Sequence, residues 1–428
     1  MDPSPWGCGH AIPARAGIPT TTRARPESKE DQTSIRDRPA SSPRSKGMTL
    51  ASLTPPAEAP ITIDDEVLAP ARAELAALDA AAGGPPPPCR LAYAAAHVVA
   101  APNGDGVDWA ATFALRRRLA GHGLGIAEAM DTAQRFELGW GVAERLIRGT
   151  GALGLPHGFV AGAAADHWPA PGPTTPEEVG RAWAEQAALI RAAGGTPVLL
   201  PEPRLCAWGC GPDAFVAAYR AALEHSEGEL FLHWLGPMFH PGLVGYFPGD
   251  SLERILALAP ERIRGVKLSL LDAGRERALR RRLRPRGQIV LTGDDHHFAA
   301  LIAGEPDDPA DFSHALLGVL EAIAAPAGLA LRFLAHGRRD RFLKLMEPCE
   351  ALGRHLFAAP VAHYQAGLAF LAWLNGWQEH RRLPAGAHRR RDRAHLLAAA
   401  RLAAAAGCLE DAPLAAERLA RFAAGGED

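Results

Sequence analysis

Lysine is scarce in this chain, and one of the few sits on a strand-like run that could turn it into a nucleophile. Against 46 Lys plus Arg, the only lysines are Lys29, Lys46, Lys267 and Lys344. An arginine guanidinium stays protonated and supplies no neutral amine, whereas a desolvated lysine gives up its proton far more readily. A neutral lysine adds to a ketone or aldehyde and, on loss of water, forms an iminium that draws electrons from a neighbouring bond. Lys29 and Lys46 fall in a polar tail, and Lys344 lies on an amphipathic stretch where solvent exposure accounts for it. Lys267 lies in Arg264-Gly265-Val266-Lys267-Leu268-Ser269. On a strand, Gly265, Lys267 and Ser269 share one face while Val266, Leu268 and Leu270 share the other. The first face suits a barrel interior and the second a layer of helices. The structural alternative is a lysine snorkelling from a strand end or paired with a carboxylate.

Other polar residues fall at the ends of predicted strands: His97, Asp131, His157, His233, Asp294, Asp295 and His296. Strand ends that converge on one mouth would bring them around Lys267. The same set could hold a divalent metal in a metal-dependent lyase or hydrolase. No His-x-His pair accompanies them, and Cys206 and Cys210 lack the second pair that a zinc site needs. Asp294 and Asp295 could also simply cap a helix after a strand. Gly149-Thr150-Gly151 lacks the Lys-Ser/Thr of a phosphate loop, so no nucleotide cofactor is implied, and without a tight ligand motif no metal is assigned.

The elements that must position these residues alternate regularly. Strand-like runs occupy Arg90–Ala100, Gly123–Thr132, Leu155–Gly162, Thr196–Pro201, Glu229–Leu235, Arg262–Ser269, Gln288–Asp294 and Phe312–Gly318. Helical stretches separate most of them, including Pro176–Ala193, opened by a Thr175 cap, and Asp213–His225. Eight strand–helix units predict a (β/α)8 barrel over residues 61–340. Residues 1–60 read as a disordered tail in which Met48 offers a second start, and residues 341–428 as a C-terminal helical extension. Within that extension, Trp373 and Trp377 suit a packing face, and the basic run His388–His395 suits a solvated one. A net charge of −2 argues against a nucleic-acid or anionic-membrane surface. No apolar run is long enough for a bilayer, and the scattered cysteines suit a reducing cytoplasm. The Ala, Arg, Gly and Pro bias points to a GC-rich bacterial genome.

Three of these runs, in order, resemble the dihydrodipicolinate synthase/N-acetylneuraminate lyase family of Schiff-base aldolases. Gly265-Val266-Lys267 matches the family's lysine strand, with Leu268 in place of the usual acidic residue. Phe231-Leu232-His233-Trp234-Leu235-Gly236-Pro237 resembles the strand before it, and Leu291-Thr292-Gly293-Asp294-Asp295 the strand after it. The resemblance spans roughly residues 90–357 and implies that Lys267 forms the Schiff base. It also implies that His233 stands where the family has its proton-relaying tyrosine, as a proton shuttle. A buried structural histidine is the alternative there. The family's carboxylate-gripping arginine is missing, with His240 as a possible substitute. The loop after the second strand, Glu128-Ala129-Met130-Asp131-Thr132-Ala133-Gln134, keeps one of the family's two threonines.

The expectation is therefore a carbon–carbon lyase of a divergent branch, acting on a small keto acid or aldehyde. Lys267 and His233 are the catalytic candidates, and Thr132, Asp131, His97, Asp294 and His240 the substrate-binding ones. The resemblance further implies a homo-oligomer. The rivals are the metal-dependent barrel enzyme and a non-catalytic metabolite-binding barrel.

Overall fold

The computed structural model describes residues 61–104 and 106–426. The expected tail, with its alternative start at Met48, lies outside the described residues. Eight strands run parallel: β1 (Ala92–Ala95), β2 (Gly125–Glu128), β3 (Phe159–Ala163), β4 (Thr196–Leu199), β5 (Leu230–Leu235), β6 (Ile263–Ser269), β7 (Ile289–Thr292) and β8 (His314–Leu317). They pair in chain order and close, β1 against β8, into the (β/α)8 barrel the alternation predicts. Each strand falls largely within its predicted run. The runs extend further because extended, apolar backbone continues past the hydrogen-bonded ladder into the loops.

Side-chain alternation sorts the strands into two cores. Ala95, Ala127, Val160, Val198, Phe231, Leu291 and Leu316 fill the barrel interior, with Tyr93 and Ile289 packed against them. Val266 and Leu268 face the other way, into the much larger core shared with the helices. Lys267 accordingly points inward, in register with His233 on β5 and Leu291 on β7. Gly265, one inward position earlier, has φ +152°, and a Cβ there would lie 1.8 Å from the Ile289 carbonyl oxygen. Only glycine lets β6 approach β7 so closely beneath the lysine.

The helix Pro176–Ala192 starts as its sequence predicts: the Thr175 hydroxyl accepts the Glu178 N–H at 3.2 Å. After β8 the chain is helical, through Arg339–Leu356, Gln365–Leu374, Arg393–Ala405 and Ala412–Ala423. Trp373 and Trp377 are buried in the main core. The basic run keeps its expected solvated face only in part, with Arg389 and Arg393 exposed. His388 is buried, and Arg391 donates to the carbonyls of Ala358, Ala359 and Pro360, where the chain turns after a helix. Those carbonyls need donors because the preceding helix has ended. Among the described residues no helix is long and apolar enough to cross a membrane.

Candidate active site

Two buried arginines hold the loop on which the first site residues ride. Arg116 donates to both Glu128 carboxylate oxygens, at 2.9 and 3.0 Å, and to the carbonyls of Ala96 and His97. Neither Arg116 nor Glu128 is exposed, and Thr150 adds a 2.7 Å bond to the carboxylate. Arg135 similarly donates to the carbonyls of Ala129 and Gly162 and pairs with Asp166 at 2.8 Å. These pairs tie the ends of β1, β2 and β3 together. Between them the chain turns sharply: Ala129 and Gln134 have φ of 51° and 52°, flanking a short 3-10 turn, Asp131–Ala133.

That turn delivers Asp131 and Thr132 to the same chamber as Lys267. The chamber is about 20 Å³, lined also by Ser269, Asp295 and Tyr364. It holds little more than one water-sized group. Lys267 is 9% exposed and, among the described residues, makes no hydrogen bond or ion pair. Burial lowers its pKa below the ordinary 10.5, while Asp131 and then Asp295 pull it back up. Burial likewise raises the Asp131 carboxyl, against the pull of Lys267, His240 and Arg135. It pushes Asp295 up to about 7, although the Val319 N–H donates to this carboxylate at 2.9 Å.

A larger cavity of about 480 Å³ adjoins the chamber, sharing Asp131, Leu235, Phe239 and Tyr364 with it. Its size is that of a small-molecule site, ordinarily roughly 300–1,000 Å³. His233 and His240 line it. His233 Nε2 lies 3.3 Å from Ser269 Oγ, and its Nδ1 is buried without a partner. Burial, and then Lys267, hold its pKa well below 6.5, so the ring is neutral near pH 7. His240 is exposed, its Nδ1 accepting the Gly242 N–H at 3.1 Å.

Two expected site residues are turned elsewhere. His97 is fully buried, with Nδ1 2.6 Å from Glu321 and Nε2 2.7 Å from Gln378, so both ring nitrogens are engaged. Asp294 accepts the backbone N–H groups of His296 and His297 and contacts His297 Nδ1 at 2.9 Å. It caps the turn, as the alternative reading had it, while its neighbour Asp295 faces the lysine. Strand alternation carries this signal: Leu291, Gly293 and Asp295 continue one face and Asp294 the other. His157 is also displaced from the mouth. It precedes β3 and lines a separate cleft with Arg72 and Arg90, below the strands' N-terminal ends. Among the described residues no three His, Cys, Asp or Glu side chains form a metal-ligand group.

Tyr364 went unmarked in the sequence. Its hydroxyl lies 2.7 Å from Thr132 Oγ1, its ring stacks on Phe357 with centroids 4.2 Å apart, and Gln365 beside it donates to the Asp131 carbonyl. Burial drives its pKa well above 10. The chain has only four tyrosines, a scarcity that mirrors that of lysine. Tyr219 and Tyr246 bond each other and Tyr93 packs against the barrel interior, leaving Tyr364 as the one at the mouth.

No curated protein matches the chain. Among solved structures, a provisionally assigned dihydrodipicolinate synthetase from Pseudomonas aeruginosa is similar, with 16% identity and a TM-score of 0.58, over 76% of this chain and 99% of that one. A dihydrodipicolinate synthase from Agrobacterium tumefaciens has 18% identity and a TM-score of 0.52, over 74% and 98%. A sialic acid aldolase from Ruminococcus gnavus has 13% identity and a TM-score of 0.52, over 74% and 97%. At these identities the likeness is one of fold, and it agrees with the resemblance carried by the three strand motifs. A family model matches residues 64–425. The chain therefore belongs to the family described as protein of unknown function (DUF993), and it shares its fold with dihydrodipicolinate synthases and a sialic acid aldolase.

Proposed function

We propose that the protein is a Schiff-base-forming lyase of the aldolase type, acting on a small carbonyl compound through Lys267. The observation that carries this reading is a buried strand lysine with no hydrogen-bond or ion-pair partner among the described residues, sharing its chamber with a carboxyl of pKa about 7. An amine left unpaired in a desolvated pocket is poorly explained by stability and well explained by nucleophilic chemistry.

In this reading the neutral amine adds to the carbonyl carbon, and one of its protons passes to the carbonyl oxygen. Asp295, protonated at the start, donates to the resulting hydroxyl, which leaves as water. The products are the iminium and an Asp295 carboxylate facing it. The bond between the carbon beside the iminium and the hydroxyl-bearing carbon beyond it then breaks, and its electron pair forms the enamine. The departing fragment becomes a carbonyl as its hydroxyl gives a proton to Asp295. A solvent proton reaches the enamine carbon through the Tyr364–Thr132 hydroxyl pair, and water hydrolyses the new iminium to restore Lys267. The reverse sequence is a condensation.

A group with a pKa near the working pH is the efficient acid–base catalyst, which favours Asp295 over His233 for this role. His233, kept neutral, orients the substrate from the larger cavity. A hydroxyl pair relays a proton by donating and accepting together, so the high pKa of Tyr364 is no obstacle.

Borohydride trapping with a panel of keto acids and aldehydes, read by peptide mass spectrometry, tests the reading. A reduced adduct on Lys267, absent from Lys267→Met, is expected. No adduct with any carbonyl compound, together with full retention of function in Lys267→Met, overturns it.

A further inference from the structure

The charge around Lys267 restricts what can be carried there. We infer that the site takes an uncharged carbonyl compound bearing a hydroxyl beside the carbonyl, and discriminates against 2-keto acids. This rests on the Schiff-base reading above and names its substrate class.

The chamber is too small for more than a short substituent next to the reacting carbon, so anything larger must extend into the adjoining cavity. A 2-keto acid carries its carboxylate one bond from that carbon. Once Lys267 is bonded, that carboxylate lies in or at the edge of the same enclosure as Asp131 and Asp295. Lys267 is the only basic side chain lining the chamber, and the single positive charge that its iminium carries already faces two carboxyls, Asp131 and Asp295. The larger cavity offers no unpaired arginine in exchange, and the Nδ1 of its exposed His240 accepts the Gly242 N–H. Arg135 pairs with Asp166, Arg204 with Glu202 at 3.2 Å and Arg390 with Glu137 at 2.7 Å. The chamber's hydroxyls are also engaged, Thr132 with Tyr364 and Ser269 with His233. The enclosure is thus rich in acceptors and poor in donors. A third carboxylate there meets like charge in a water-poor setting, where such repulsion is strongest. A substrate hydroxyl instead donates to the carboxylates and satisfies them.

Hydroxyacetone and pyruvate separate the two cases, because they share the methyl ketone and nearly the same size and differ in charge. Borohydride trapping at pH 8 is expected to label Lys267 at least about tenfold faster with hydroxyacetone, a factor well within the reach of one close like-charge contact. Asp131→Asn, which removes one like charge without changing shape, is expected to raise the pyruvate rate and narrow the ratio. Pyruvate labelling Lys267 as fast as hydroxyacetone overturns this inference and leaves the Schiff-base reading standing. So does a ratio unmoved by Asp131→Asn. Neither compound labelling Lys267 overturns this inference, because hydroxyacetone belongs to the class it names, whereas the Schiff-base reading falls only with the whole carbonyl panel.

Discussion

Asp295→Asn makes a demanding prediction because its effects on stability and on chemistry run in opposite directions. The folded carboxyl holds its proton up to about pH 7, against an ordinary value of 3.8. The folded state therefore binds that proton more tightly than the unfolded chain does. The carboxyl costs stability nothing well below pH 3.8, costs more as pH rises, and costs its full amount above pH 7. Linkage gives about 2 kcal/mol at pH 5 and about 4 kcal/mol at pH 8. Asparagine cannot ionise, and its side-chain oxygen can still accept the Val319 N–H. Its new amide protons bring a pH-independent cost on the order of 1 kcal/mol, which cancels when two pH values are compared. The variant is thus expected to gain about 2–3 kcal/mol on wild type between pH 5 and pH 8. Urea unfolding followed by tryptophan fluorescence at the two pH values measures this. Over the same change, Lys267 trapping should slow by about 10²–10⁴-fold through loss of the general acid. A stability difference that is the same at both pH values would refute the argument, because Asp295 would then not titrate between them.

Other perturbations probe the supporting structure. Tyr364→Phe removes the hydroxyl bonded to Thr132 and should slow α-proton exchange of hydroxyacetone in D2O by about 10²-fold or more, while borohydride adducts on Lys267 still form. Equal loss of both would assign Tyr364 a merely structural role. Gly265→Ala pushes a methyl group into the Ile289 carbonyl from a left-handed φ, so it should cost about 3 kcal/mol or more in chemical denaturation. Glu128→Gln leaves the Arg116 charge buried without its counter-ion and should destabilise by about 3–5 kcal/mol, whereas Arg116→Met with Glu128→Met together should recover most of that.

The inward face of Lys267 was legible because alternation on a strand is a local rule, and Gly265 and Ser269 on the same face satisfy it. That rule, extended along β7, also distinguishes Asp295 from Asp294, yet a sequence motif of two adjacent aspartates does not by itself say which one reaches the mouth. His97 follows the same alternation and still escapes the site, because Glu321 and Gln378, 224 and 281 residues away, claim both its ring nitrogens. Residue type and strand position predict where a side chain starts but not which partner captures it.

Lysine scarcity, strand–helix alternation and the ordered motifs around Gly265-Val266-Lys267 determined a barrel, its nucleophile candidate and the neighbouring His233 from the sequence by itself. Those signals are local or periodic, and a chain carries them before it folds. Only the tertiary structure decided the acid–base environment. Desolvation of Asp295 depends on the closed barrel around it. The contact between Tyr364 and Thr132 joins residues 232 positions apart. The ion pairing of Arg135, Arg204 and Arg390 likewise depends on which carboxylates the loops bring to the cavity. Burial and long-range pairing are properties of the packed molecule, so the charge balance around Lys267 exists only once the C-terminal helices and the barrel mouth have come together.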